Sequence, residues 1–330
     1  MDAVTVRLLN EFQRGFPLVP RPFQSVADRL GAHESEVLAM LASLVASGKV
    51  SRVGLTFTPG RIGAATLAAM SVPGERLHEI AERVSEFAEV NHNYEREHLY
   101  NLWFVVTGPD AARVESVVRE IERAAACGRV LSLPMIEPYH VDLGFDLERR
   151  DADAARQAGS RRAGGRVVLT APERALVAAL EDGLPLIEEP YAEIARRAGM
   201  PEQEVMATLA RWLADGVANR LGVIVRHRPL GFRANAMVVW DVPDAEARAV
   251  GERMARWPDV NLCYRRERLL PAWRYNLYCM IHGRDRVHVL ARIAAMDARL
   301  DLVGYPYEVL FSRRCFKQRG ARYVTDGVAA

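Results

Sequence analysis

The chain has 330 residues, 50% hydrophobic and 26% charged, enough for two to four domains that each bury a core. Its formal net charge is only +2, so no strong global field draws it to nucleic acid or to a membrane. The four cysteines (Cys127, Cys263, Cys279 and Cys315) are scattered and form no CxxC pair, which argues against zinc, iron–sulfur clusters and a disulfide framework.

The N-terminus shows no apolar signal region, and no stretch of about 18 apolar residues could span a bilayer. The expectation is a soluble protein of the reducing cytoplasm, with no membrane partner. Lys49 and Lys317 are the only lysines. An arginine excess can follow from the base composition of a gene, or from a need for planar guanidinium forks on carboxylates; composition does not separate the two.

In chain order, Ser25–Leu30 and Glu34–Ala46 carry apolar residues at helical spacing around Gly31-Ala32-His33, the pattern of a helix-turn-helix. The alternating stretch Val50–Phe57 reads as a wing hairpin. Residues 64–72 read as a strand, Glu75–Phe87 as an amphipathic helix, and 90–97 with 100–107 as a strand pair. A helix over Asp110–Ala125 and a strand over 130–140 complete a βαββαβ order. Then the sequence repeats itself. PFQSVADRLG (22–31) matches PYAEIARRAG (190–199), Arg52-Val53-Gly54 matches Arg220-Leu221-Gly222, and Gly63 matches Gly231. NHNYEREH (91–98) matches NLCYRRER (261–268), followed in each copy by Asn-Leu: Asn101-Leu102 and Asn276-Leu277. The second copy predicts strands over 234–241, 260–268, 274–281 and 302–311, with helices over 244–256 and 285–296.

The predicted class is α+β: two tandem copies of a winged helix-turn-helix plus a ferredoxin-like βαββαβ domain, forming a pseudo-dimer within one chain. The boundaries expected are 1–60 and 61–148 for the first copy, a linker at 149–168, and 169–230 and 231–330 for the second. The linker is rich in Arg, Ala, Asp and Gly.

This architecture resembles the Lrp/AsnC transcription regulators, which makes DNA binding, with or without tetrapyrrole sensing, the alternative function. The recognition helices speak against it. They open on His33-Glu34-Ser35-Glu36 and Pro201-Glu202-Gln203-Glu204, and Arg211 is the one basic residue that follows in either. Acidic first turns complement the helix dipole, yet they face phosphate poorly, and phosphate contacts carry most non-specific affinity.

Polar and aromatic residues concentrate on the central hairpin of each βαββαβ unit. Alternation in a strand puts His92, Tyr94, Arg96 and His98 on one face. In the second copy Tyr264, Arg266 and Arg268 keep that phase, with Arg265 opposite. A solvated charged strand is the bland alternative, but both copies keep the Tyr and an Arg two residues later. A second cluster is Arg226-His227-Arg228-Pro229, where the first copy has Thr58-Pro59-Gly60-Arg61. His92 likewise faces Leu262 and His98 faces Arg268, so the copies have diverged as if to build one asymmetric site. His33, His78, His282 and His288 read as structural or surface residues, and His140 as ambiguous.

HNYEREH with YNLWF, RHRPLGFRANAM, and CYRRER with WRYNLYCMIHG are similar to the siroheme decarboxylases, Lrp-like proteins that usually work as heterodimers of two related subunits. The resemblance covers nearly the whole chain, its first copy matching the D-type subunit and its second the L-type. It implies that the acetate groups at C12 and C18 of siroheme become methyl groups in haem d1 biosynthesis, giving 12,18-didecarboxysiroheme and carbon dioxide.

Such a polycarboxylate substrate calls for several arginines, with Arg96, Arg226, Arg265, Arg266 and Arg268 as candidates and His98 beside them. Trp103, Trp273 and Tyr275 suit a flat macrocycle or pack a core equally well. Departure of carbon dioxide leaves an electron pair on carbon that the conjugated ring accepts, so no cofactor is expected and the only iron is the substrate's own. The carbon must then gain a proton, for which histidine is suited. His92 and His227 are the candidate acid pair, supported by Tyr94 and Tyr264; ligation of the substrate iron is the other role open to either histidine. No protein-held metal and no DNA are expected. A homodimer of the fused chain, contact with other haem d1 enzymes, and a non-catalytic tetrapyrrole carrier complete the readings.

Overall fold

The computed structural model describes residues 1–141 and 164–324. Residues 149–163 of the expected linker lie outside the described residues; 164–168 carry no helix or strand.

Each copy begins with three helices and a strand. In the first these are α1 (Ala3–Glu11), α2 (Pro22–Leu30), α3 (Glu34–Ala46) and β1 (Val50–Phe57). In the second they are α6 (Ala171–Ala179), α7 (Pro190–Ala198), α8 (Glu202–Ala214) and β6 (Ala218–Val225). Local chemistry sets the ends. Pro22 and Pro190 sit in the first turn of their helices, where a missing N–H costs nothing. Gly31 and Gly199 take the left-handed cap at φ 69° and 67°. The eight residues Val50–Phe57 do not fold back as a hairpin. They form one strand whose partner is β6 of the other copy, with Gly54 opposite Gly222. The alternation expected of a wing is therefore satisfied across the pseudo-dimer, and the backbone of β6 packs so close to the Gln13 carbonyl that a Cβ at Gly222 has no room. Both helical units share one hydrophobic core.

The βαββαβ units follow as expected. The first comprises β2 (Ala64–Met70), α4 (Leu77–Glu86), β3 (Val90–Arg96), β4 (Leu102–Gly108), α5 (Ala111–Ala125) and β5 (Leu131–Val141). The second comprises β7 (Ala234–Trp240), α9 (Ala247–Ala255), β8 (Val260–Arg266), β9 (Leu277–Gly283), α10 (Arg286–Leu300) and β10 (Tyr307–Gln318). Each makes a four-stranded antiparallel sheet with its helices on one face, around separate cores such as Phe104, Val106 and Ile121 or Trp240, Ile281 and Ile293. Full burial of each such side chain contributes roughly 1.5–3 kcal/mol.

The sheets join at both edges. β10 pairs with β3 and β5 with β8, closing an eight-stranded barrel in the order β10-β3-β4-β2-β5-β8-β9-β7. Closure leaves the barrel itself without a free edge strand. The interior is plugged by Trp103, Trp273, Tyr264, Tyr278 and aliphatic neighbours.

The last strand departs most from expectation, running over Tyr307–Gln318 where 302–311 was predicted. Its polar second half, SRRCFKQ, lacks a strand's apolar alternation because it leaves its own sheet to pair with β3. Among the described residues no helix is long and apolar enough to cross a membrane.

Candidate active site

The seam between β3 and β10 gathers the chemistry. Asn93 points to the helix side, donating to the Ala81 carbonyl at 2.9 Å and to Ser85 Oγ at 3.1 Å. Alternation therefore turns His92, Tyr94 and Arg96 to the opposite face. Opposite them in register stand Gln318, Cys315 and Ser312. The segment after β6 latches onto the same strand: Arg226 donates to the Gln318 carbonyl at 3.1 Å, and Arg228 to the Ser312 carbonyl at 2.8 Å and hydroxyl at 2.9 Å. His227, between those arginines, is thereby brought to His92. The two histidines, 135 positions apart in sequence, lie close enough that a charge on His92 lowers the pKa of His227.

Their electrostatics are one-sided. Both half-buried rings are held at a pKa of about 4. Loss of solvation is the largest cause, followed for His92 by the charges of Arg52 and Arg226, and for His227 by those of Arg228, His92 and Arg96. Both are neutral at pH 7, because burial and four guanidinium groups push the same way. At Arg52, Arg96, Arg226 and Arg228 the buried Nε has no hydrogen-bond partner. Excess positive charge with unused donors fits a polyanionic ligand. An adjoining cleft of about 580 Å³ is lined by Glu95, Arg228, Arg313, Arg314 and Cys315.

Asparagines orient the rings. Asn91 Oδ1 accepts from His92 Nδ1 at 3.0 Å, which directs the lone pair to Nε2. Asn235 Nδ2 donates to His227 Nε2 at 2.8 Å. Tyr94 stacks near His92, with ring centroids 6.2 Å apart, and hydrogen-bonds Cys315. Burial pushes the Tyr94 hydroxyl up, so it stays protonated and keeps a hydrogen to donate.

The remaining expected residues lie elsewhere. Arg96 and Arg266 are 8% and 7% exposed. Each crosses a seam to donate to the other copy's last strand, Arg96 to the Leu310 carbonyl at 2.9 Å and Arg266 to Leu133 at 2.6 Å. The Tyr-x-Arg kept in both copies is thus explained by barrel closure, although the Arg96 charge also reaches His227. Tyr264 stacks on Tyr278 beneath Arg266 inside the plug, with its hydroxyl toward Arg96.

Arg265 and Arg268 do not join the site. Both pair with Asp244, and Arg268 also with Asp241; Arg265 has the wrong phase, and Arg268 lies beyond the end of β8, where alternation no longer holds. His98, past the end of β3, binds Glu308 at 2.7 Å and packs edge-on against Trp273. Trp103 and Trp273 are 1% and 2% exposed, with indole N–H groups satisfied by the Tyr100 carbonyl and the Tyr278 hydroxyl. They pack the core and offer no face to a macrocycle.

Sequence reasoning missed Arg52, Arg228 as a ligand, Arg313, Arg314, Cys315 and His282. Arg313, Arg314 and Cys315 sit on the half of β10 that pairs with the other copy, whereas His282 lies on β9 inside its own sheet. The signal that could have found Arg313 and Arg314 is their place in a polar run directly after a strand core.

Comparison with known proteins places the chain in a family. A model for the AsnC-like ligand binding domain matches residues 61–140 and 229–317, and one for the siroheme decarboxylase NirDL-like HTH domain matches 6–50 and 173–217. A siroheme decarboxylase NirDL subunit of Paracoccus denitrificans is 43% identical over 324 residues, covering 97% of both chains. The chain belongs to the siroheme decarboxylase family. Within that family, a NirD subunit from Pseudomonas aeruginosa is 51% identical over 45% of this chain and 98% of its own. A siroheme decarboxylase NirDL crystal structure, crystallised in a co-complex with an iron-uroporphyrin III analogue, superposes with a TM-score of 0.67 at 27% identity, covering 97% of this chain and 93% of that one. The expected fold class is borne out.

Proposed function

We propose that this chain removes carbon dioxide from the C12 and C18 acetate side chains of siroheme, giving 12,18-didecarboxysiroheme on the route to haem d1. The observation that carries the reading at this site is the pair of adjoining neutral histidines on which only positive side-chain charges act. A polycarboxylate gains the charges of Arg52, Arg226 and Arg228, which a neutral or cationic ligand does not.

In each step the bond between the acetate methylene and its carboxylate carbon breaks. The electron pair stays on the methylene carbon, where the macrocycle delocalises it, and carbon dioxide leaves. One proton then completes the methyl group, so each acetate consumes one proton.

The substrate itself supplies the condition for proton delivery. Its carboxylates offset Arg52, Arg226 and Arg228, which reverses part of the depression and lets a histidine take up a proton as the substrate binds. His92 and His227 are the proposed acids, each contributing ~10²–10⁴-fold. Tyr94 donates a hydrogen bond, and Arg226 and Arg228 hold carboxylates; Arg313 and Arg314, at the cleft, are already paired with Glu95 and Glu97. No cofactor beyond the substrate's own iron is required by this chemistry. A second reading makes His92 an axial ligand of that iron, favoured by the Asn91 contact that leaves Nε2 unprotonated.

The fusion supplies both halves of the usual heterodimer in one cytoplasmic chain. We assign no DNA partner: Glu34, in the first turn of α3, pairs with Arg21, and Glu36 caps the helix. A homodimer of the fused chain and contact with neighbouring haem d1 enzymes stay part of the proposal.

Anaerobic incubation with siroheme and mass spectrometry of the tetrapyrrole is the test. Two successive losses of carbon dioxide are expected; bound but unchanged siroheme identifies a carrier and overturns the reading. If His92→Ala turns over normally while the substrate iron changes its absorption spectrum, His92 is the ligand and not the acid.

A further inference from the structure

We infer that His282 is a positioning residue for His227, anchored by Asn261; this rests on the proposed role of His227. Three observations converge on it. The His282 ring lies 4.7 Å from that of His227, centroid to centroid, at an interplanar angle of 58°. Its Nδ1 is 2.9 Å from Asn261 Oδ1, a carbonyl oxygen that accepts and so places the proton on Nδ1. It stands directly opposite Asn235 in the β7–β9 register, and Asn235 holds the other side of His227 at 2.8 Å. His227 is therefore held between a buried amide and a second imidazole whose own orientation is set by a third residue.

The repeat shows that this array is special to one copy. Asn91 and Asn261 are equivalent, and each fixes the Nδ1 of one histidine: Asn91 that of His92 on its own strand, Asn261 that of His282 on the next strand. In the first copy the place of His282 is taken by Thr107, opposite Ala65, and the place of His227 by Pro59. The pair is present together in one copy and absent together from the other. A ring that only filled volume would have no need of the Asn261 anchor.

The arrangement also serves proton transfer. Asn235 Oδ1 is buried without a partner, so turning that amide over lets Oδ1 accept from a protonated His227 Nε2. Burial together with the neighbouring His227 and Arg96 charges keeps His282 neutral. The loaded proton consequently resides on His227, and His282 keeps that ring aimed.

The test is a double-mutant cycle in the full chain with siroheme as substrate, using His282→Phe, which keeps the ring and loses both nitrogens, alone and with His227→Ala. His282→Phe is expected to lower kcat about tenfold with KM within about twofold, and to add less than about twofold once His227 is gone. Normal turnover in His282→Phe, or an equal loss in both backgrounds, overturns the positioning role. Normal turnover in His227→Ala overturns instead the acid assignment on which it rests. Imidazole ¹⁵N spectra of the ligand-free protein give a readout independent of turnover: His227 is expected to pass from one tautomer to a mixture in the variant, and an unchanged signal overturns the inference. If His282→Phe melts early, His282→Asn, which keeps a donor for Asn261, takes its place with the same expected outcome.

Discussion

The two seams of the barrel are built alike and equipped differently. At each, a Tyr-x-Arg on the second strand of one copy meets the last strand of the other, and the arginine donates to a backbone carbonyl across the joint: Arg96 to Leu310, Arg266 to Leu133. Beyond that shared joint the seams part. The β3–β10 seam carries His92, with Arg226, His227 and Arg228 latched over it and Cys315 opposite Tyr94. At the β8–β5 seam the corresponding residues are Leu262, Thr58, Pro59, Gly60 and Pro138. What both copies keep is what closes the barrel, and what differs between them marks the chemistry. Retention across a repeat is therefore a better guide to architecture than to the site.

This contrast is easiest to break at the histidines. His92→Ala or His227→Ala should lower the decarboxylation rate ~10²–10⁴-fold, whereas Leu262→Ala at the other seam should leave it within about twofold. Comparable losses from both seams, in single-turnover assays, would show that both are active.

The shared joint sharpens the comparison from the other side. Arg96→Leu and Arg266→Leu each leave a buried carbonyl without its donor and should each cost about 1–3 kcal/mol in denaturant unfolding. Only Arg96→Leu should also weaken siroheme binding. Among the peripheral arginines, Arg226→Gln and Arg228→Gln should each raise the Kd for siroheme about tenfold. Arg265→Gln and Arg268→Gln should change it less than about twofold, because those guanidinium groups are already neutralised by Asp241 and Asp244.

The smallest effect is one of pH. His92 and His227 have folded pKa values of about 4, below the ordinary histidine value of about 6.5. Between those limits the unfolded chain binds more protons, so the contribution of these groups to stability is present above about pH 6.5 and is lost as pH falls toward 4. The melting temperature should fall across that window, and the slope should flatten in a His92→Gln/His227→Gln variant. In the unsubstituted chain, siroheme binding at pH 7 should take up protons, seen as a dependence of calorimetric heat on buffer ionisation enthalpy. A heat independent of buffer would contradict loading of the proton by substrate.

Much of this was legible in the sequence. The duplicated PFQSVADRLG pattern, helix punctuation at Pro22 and Gly31, and the order βαββαβ follow from local rules, and so does the phase of His92 and Tyr94 on β3. His227 was legible as a departure from the repeat. Reasoning failed where pairing was not local. Val50–Phe57 alternates like a hairpin wing, but its ladder partner is 168 residues away in the repeat. The run 312–318 does not alternate like a strand, because it leaves its own sheet and pairs with β3 of the other copy. His98 and Arg268 followed their strands' phase on paper but lie past the strand ends.

The sequence by itself determined the elements, the duplication and the family to which the chain belongs, since periodicity, capping and motif are properties of neighbouring residues. Only the tertiary structure decided that His92 and His227 share one seam, that Arg96 and Arg266 bolt the barrel, and that Trp103 and Trp273 belong to its core. Those facts depend on which edge strand meets which, and edge pairing between two similar halves is settled by barrel closure, where backbone hydrogen bonds and buried side chains must be satisfied together.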